Sequence, residues 1–347
     1  MSDSTRSMEP AGRAAADSAP IGLGAGPDGA RPDCFEISPL MLFPGTTGWF
    51  SVYLMVEGKL VLYANGPEGF TEEHQHRLHD FGLEKVHILA EQKNNYQRYV
   101  EDNLGGILIN EKIPLKERAE VFYTASLDLI RETFEKKLPG SIRAGHFNRI
   151  TELVEESLRF IRKEGSLKAV TGLISHDYNT YNHCVNVFVL SAALLDTYEY
   201  KHKDKSRFSL GAILHDLGKS MIPLDIINKP GKLDPAERAI IETHPVKGAA
   251  MCAHLPLASE TLNAILFHHE RLDGTGYPAG MSQSGIPIPI RVVALVDVYD
   301  ALTSDRPYAK QRTPIEALAM IRDRMGQGLD MDVFRRLVRI LSGADVT

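Results

Sequence analysis

His215 and Asp216 stand side by side in "ILHDLGK", where an apolar run ends in an imidazole and a carboxylate and Lys219 follows three residues on. His244 opens "HPVKG". His268, His269 and Glu270 close a second apolar run that leads directly into "RLDGTGYP", and Asp297 and Asp300 interrupt a third, "VVALVDVYDAL". An unpaired imidazole or carboxylate buried on such a face costs several kcal/mol, so each of these groups needs a partner. Separate hydrogen bonds would satisfy them one by one; a shared metal cluster would satisfy them together. The donor set is imidazole and carboxylate without thiolate, which suits Fe, Mn, Zn or Ni. A carboxylate can bridge two ions and a neutral imidazole cannot, so a His-Asp doublet is a sensible holder for a dinuclear pair.

The segments carrying these residues read as helices. From Pro114 onward helix follows helix: Leu115 to Lys137 ending at Pro139-Gly140, Phe147 to Lys163, then an all-α domain over 166–347 broken by Pro223, Pro230, Pro256 and the Gly/Pro-rich stretch 274–289. Residues 113–165 read as connecting helices. Before them, residues 35–112 read as a small α/β module serving as sensor or adaptor. It has a hairpin of Trp49–Met55 and Lys59–Ala64 around Glu57-Gly58, a helix from Thr71 to Gly82, and a strand Lys85–Ala90. A helix Asn94–Leu104 follows, ended by Gly105-Gly106. Residues 1–34 are rich in Ala, Gly, Pro and Ser and contain no aromatic, so a disordered tail is expected. The overall class is α+β.

Bulk properties narrow the partners. The chain has 347 residues, 39 Lys plus Arg against 45 Asp plus Glu, and a net charge of -6. Gripping a long nucleic acid takes a concentrated basic face, which this balance disfavours. No apolar run approaches the ~18 residues of a membrane span, and the N-terminus lacks the apolar core of a secretory signal. Cys34, Cys184 and Cys252 are odd in number and far apart, as in a reduced cytoplasmic protein. His74, His76 and His79 lie on one predicted helix, but only His76 and His79 share a face, and they read as solvated surface. His202 and His254 stand singly.

"HDLGK" followed by "HHERLDGTGYP" and "DVYDALTSDRPY" resembles the HD-GYP branch of the HD-domain phosphohydrolases over about residues 175–325. The resemblance implies an all-α fold around a metal site and hydrolysis of cyclic di-GMP to linear dinucleotide and GMP. It implies metal ligands at His183 (in "YNHCVNV"), His215, Asp216, His244, His268, His269 and Asp297, with Asp216 bridging. Lys219 then contacts the scissile phosphate, Gly276, Tyr277 and Pro278 form the GYP loop together with Gly274, and Arg306 contacts substrate. Family members with a third metal carry a Glu where this chain has Asn179, so two ions, Fe or Mn, are expected. Where a basic residue often follows Arg306 by three positions this chain has Ala309, and Lys310 is the nearest cation. The doublet His176-Asp177 has no apolar run before it and no lysine after it, and is read as a decoy. Asp300 either orients a ligand or pairs locally, and Tyr277 and Tyr308 read as core or as platforms for guanine, core being favoured. In the family the GYP loop also meets partner proteins; a homodimer stays open. Two other readings stand beside the active phosphodiesterase: a weak or inactive nucleotide sensor, and an enzyme for another cyclic dinucleotide.

Overall fold

The computed structural model describes residues 22–23, 32–46, 48–135, 142–174, 179–305 and 310–343. The chain divides into two compact units, Met1–Tyr99 and Val100–Thr347. The division falls earlier in the chain than the expected boundary at 112.

The first unit is built on β1 (Gly22–Leu23), β2 (Cys34–Ile37), β3 (Val52–Val56), β4 (Lys59–Ala64), α1 (Glu72–Asp80) and β5 (Val86–Leu89), followed by α2 (Lys93–Asp102), which crosses the unit boundary. The strands form one antiparallel sheet in the order β1-β4-β3-β5-β2. The β3–β4 hairpin turns at Glu57 and Gly58, both at positive φ (49° and 77°), the twist that a two-residue hairpin loop requires. Thr71 caps α1, its Oγ1 accepting the His74 N–H at 3.2 Å. Val52, Leu60, Val86 and Ile88 make the buried face, with Phe50 packed edge-on against Tyr96 and Tyr99.

Part of the expected tail is ordered. Gly22 and Leu23 pair with Val61 and Leu60 at the sheet edge, and Cys34 opens β2; the rest of that tail, 1–21 and 24–31, lies outside the described residues. Gly105-Gly106 does not end a helix either. After a break at Asn103 the pair lies inside α3 (Leu104–Ile109). Leu104, Ile107 and Leu108 recur at helical spacing and are buried, and that burial outweighs the glycine penalty.

The second unit continues with α4 (Leu115–Glu135), α5 (Ala144–Ile161), α6 (Ser166–Thr171), α7 (Thr180–Asp196), α8 (His202–Leu214), α9 (Leu224–Ile227), α10 (Pro235–Ile241), α11 (His244–Cys252), α12 (Ser259–Phe267), α13 (Ile288–Thr303), α14 (Pro314–Met320) and α15 (Met331–Ser342). Lys137 and Pro139-Gly140 lie outside the described residues. The helices expected to serve as connectors, α4 and α5, instead belong to the body of this unit: Phe122, Leu129 and Ile130 on α4 and Ile150, Val154 and Leu158 on α5 are buried. Their apolar faces need this burial, each large aliphatic side chain contributing roughly 1.5–3 kcal/mol. Helix α7 is buried from Asn182 to Leu195, which makes it the central rod. Val187, Leu190 and Leu194 on α7 pack with Val292, Leu295 and Val296 on α13 and with Leu337 on α15. No helix among the described residues is long and apolar enough to cross a membrane.

Candidate metal centre

Helix ends deliver most of the site. His215 caps the C-terminus of α8, and Asp216 starts the following turn, Leu217–Met221. His244 is the first residue of α11, and His268 caps α12 with His269 next to it. His183 lies in the first turns of α7, whereas Asp297 and Asp300 lie mid-helix on α13. The last carbonyls of a helix have no partner within it, and the imidazoles use them. The Nδ1–H groups of His215, His244 and His268 donate to Ala212 O, Ile241 O and Ile265 O at 2.7, 2.8 and 2.8 Å. His183 donates its Nδ1–H to Asp300 Oδ2 at 2.7 Å. Asp300 therefore orients a ligand-type side chain, one of the two roles the sequence left open.

With each Nδ1 proton committed, the Nε2 lone pairs point inward. Nε2 of His215 lies 3.2 Å from Nε2 of His183, and Nε2 of His244 lies 3.2 Å from Nε2 of His268. Two imidazole nitrogens at that distance repel unless a proton or a metal ion lies between them. Asp216 completes the pattern. It is fully buried, its Oδ2 accepts from Lys219 Nζ at 2.6 Å, and its Oδ1 has no hydrogen-bond partner although His244 Nε2 is 3.2 Å away. Two groups of donor atoms converge closely enough to hold an ion, Asp216 with His244, His268 and His269, and Asp216 with His183 and His215. They share Asp216. Asp297 stands between the groups, 3.0 Å from His183 Nε2 and 3.5 Å from His269 Nδ1. All seven residues expected as ligands are thus brought together, and the orphaned carboxylate oxygen and facing lone pairs fit divalent cations.

The electrostatics agree with that fit. Burial pulls His215 down, holds His268 well below the usual imidazole range and takes His269 to about 3, so these three rings are neutral donors. Burial pushes Asp216 and Asp297 upward, yet Lys219 with the nearby imidazoles at Asp216, and His183 with its neighbouring imidazoles at Asp297, keep both carboxyls well below the usual range and ionised. At His183 burial is outweighed by Asp297 and Asp300, which push it up to about 10. The centre therefore attracts positive charge: His183 holds a proton that an incoming ion would displace, while His215, His268 and His269 present neutral nitrogen.

Two glycines permit the close approach. A Cβ on Gly218 would sit 1.9 Å from His244 O, and one on Gly276 would sit 2.4 Å from Arg271 N. Gly274 takes a positive φ of 75°, and the Tyr277-Pro278 bond is cis. The Tyr277 ring lies 4.7 Å from that of His269, centroid to centroid. Of the two roles open to Tyr277, core or a platform for guanine, its position favours the second: it lines an open cavity of about 680 Å³, together with Lys219, Ile222, Ile226, Lys232, Arg238 and Ile241. Pro278, Ala279 and Gly280, which follow it, are exposed. Lys310 is exposed. Arg306, Tyr308 and Ala309, and the doublet His176-Asp177, lie outside the described residues.

The sequence pointed to Glu270 as a group needing a partner but gave it no role. It is buried, and its carboxylate accepts the N–H groups of Ala279, Gly280 and Met281 at 2.6, 3.1 and 2.7 Å, pinning the GYP loop to the end of α12. The available signal was a carboxylate directly after two buried histidines, which has to find donors. The cations of the cavity wall, Lys229, Lys232 and Arg238, carried no motif.

A family profile described as HD domain matches residues 152–333. Among curated proteins, a cyclic di-GMP phosphodiesterase of Pseudomonas aeruginosa is 39% identical over 191 residues, covering 54% of this chain and 46% of that protein. The cyclic di-GMP phosphodiesterase response regulator RpfG of Xanthomonas campestris is 39% identical over 132 residues, covering 38% of this chain and 35% of its own. The 3'3'-cGAMP-specific phosphodiesterase 1 of Vibrio cholerae is 33% identical over 161 residues, covering 46% and 37%. The chain spans less than half the length of these relatives. Among solved structures, Bd1817, an HDG"Y"P protein from Bdellovibrio bacteriovorus, shares the fold with a TM-score of 0.63 over 90% of this chain and 100% of that one, at 23% identity.

Proposed function

This chain belongs to the HD-domain family, and from that premise we propose that it hydrolyses a phosphodiester bond of cyclic di-GMP, yielding the linear dinucleotide and then GMP. The observation that carries the reading is the pair of donor groups sharing Asp216 beside Lys219, at the wall of a cavity of about 680 Å³. Two divalent ions, iron or manganese, held by His183, His215, His244, His268, His269 and Asp297 with Asp216 shared between them, would polarise the phosphoryl oxygens and lower the pKa of a water.

The chain's own residues do the rest. The carbonyls of Ala212, Ile241 and Ile265 and the carboxylate of Asp300 fix four imidazoles in the orientation that exposes Nε2. Lys219 holds its ammonium against Asp216, where negative charge develops on the phosphoryl group. Ile222, Ile226 and Ile241 offer apolar surface to a purine, and Lys232 and Arg238 offer charge to a second phosphate. Gly274, Gly276, Tyr277 and Pro278 shape the substrate side of the site, and Arg306 and Lys310 supply further cations. Asn179 caps α7, its Oδ1 taken by the Asn182 N–H at 2.7 Å, which supports two ions rather than three. The tip of the GYP loop at Asp273 to Thr275 is exposed and suits contacts with signalling proteins. Three free thiols fit a cytoplasmic setting.

Relatives specific for 3'3'-cGAMP, at 30–33% identity, favour a second substrate reading. One assay separates the readings. Purified protein is loaded anaerobically with Fe(II) or Mn(II) and given cyclic di-GMP and 3'3'-cGAMP in parallel, with products resolved by chromatography. Faster turnover of cyclic di-GMP is expected. Turnover of 3'3'-cGAMP alone overturns the substrate assignment, and binding of either nucleotide without turnover makes the protein a sensor.

A further inference from the structure

We propose that Tyr123, on a helix ahead of the segment that the HD profile matches, is a positioning residue for the metal centre, acting on His183 through Asn186 and Asp300. The inference rests on reading the cluster as a divalent-metal site. It comes from a buried chain of hydrogen bonds that runs into the Asp300 carboxylate from both sides. Tyr123 OH donates to Asn186 Oδ1 at 2.8 Å, Asn186 Nδ2 donates to Asp300 Oδ1 at 2.9 Å, and His183 Nδ1 donates to Asp300 Oδ2 at 2.7 Å. Tyr123 is 6% exposed, Asn186 0%, Asp300 1% and His183 1%, so water does not compete for these bonds.

The polarity gives the tyrosine its task. An amide presents an oxygen at one end and an N–H₂ at the other, and only the N–H₂ end can face a carboxylate. The Tyr123 hydroxyl donates to the oxygen end and so holds the amide in the orientation that gives Asp300 a donor. Asp300 in turn fixes the His183 ring and the direction of its Nε2. Tyr123 lies on α4, whereas the profile match begins at residue 152. A helix outside the matched domain therefore sets the geometry of one of its ligand residues, and a displacement of α4 would be felt at the ion.

The test is Mn(II) titration of the full-length, metal-stripped protein, read by calorimetry rather than turnover. Outer-sphere partners of a metal-bound histidine are typically worth 10–100-fold in affinity. Asp300→Asn is expected to weaken binding in that range, and Tyr123→Phe, one bond further out, by about tenfold. Ser126→Ala is the control. It removes a buried hydroxyl from the same helix, one bonded only to Phe122 O, and should leave Mn(II) affinity unchanged. In an Asp300→Asn background, Tyr123→Phe should add little. Tyr123→Phe affinity within twofold of wild type, in a protein whose wild type binds and whose His183→Ala variant does not, overturns the proposal. A Ser126→Ala loss equal to that of Tyr123→Phe overturns it too, because helix packing would then explain both. Wild-type protein that binds no Mn(II) defeats the metal reading itself.

Discussion

The two units both carry histidines, and they use them in opposite ways. In the sheet unit His74 serves its own helix, its Nδ1 accepting the Thr71 N–H at 3.1 Å while its ring packs against Tyr63 and Phe70, and His76 is exposed to water. His87 is buried there with no partner for Nδ1, but it belongs to no cluster of three ligand-type groups among the described residues. In the helical unit four of the five clustered imidazoles have Nδ1 tied to a fixed acceptor and Nε2 turned toward a neighbour. Among the described residues, closeness in sequence produced no site in the first unit. In the second, residues spread from His183 to Asp297 converge because five helices end or pass at one point. What marks a metal centre is thus the convergence of committed donors, rather than the density of histidine.

The largest effect that would break this contrast comes from paired substitutions. Asp216→Ala is expected to empty the centre, read as metal content per chain, and to lower turnover by more than about 10²-fold. His76→Ala should change neither, since exposed surface substitutions stay within roughly 0.5 kcal/mol. Equal losses in both variants would erase the distinction. Next, Lys219→Met should lower kcat roughly 10²–10³-fold while metal content persists, which separates charge stabilisation from ion binding. The smallest effect is at Glu270. Glu270→Gln removes the charge that holds three loop N–H groups and is expected to cost about 1–3 kcal/mol in urea denaturation. KM for the nucleotide should rise more than kcat falls. An unchanged KM would separate the GYP loop from substrate binding.

Much of this was legible in residue types and order. The apolar runs ending in His-Asp and His-His predicted helices that stop at their ligands, and α8 and α12 do. The close backbone approach expected at Gly276 of "GYP" is present against Arg271, whereas the glycine of "HDLGK" had no explanation until the backbone of His244 was seen to crowd it. The edge strand Gly22–Leu23 was missed because two residues carry no periodicity of their own; β4 supplies their partners. The role of α4 and α5 was misread because an amphipathic face shows that a helix is buried, but not against what.

By itself the sequence determined the donor chemistry, the helical class of the second unit and the family, because these follow from residue type and local spacing. Only the tertiary structure decided that Asp300 orients His183 rather than pairing locally, that Glu270 holds the GYP loop, and that Tyr277 lines a cavity. Each of these is a contact that local spacing does not reveal, and hydrogen-bond direction and burial exist only once the helices have packed.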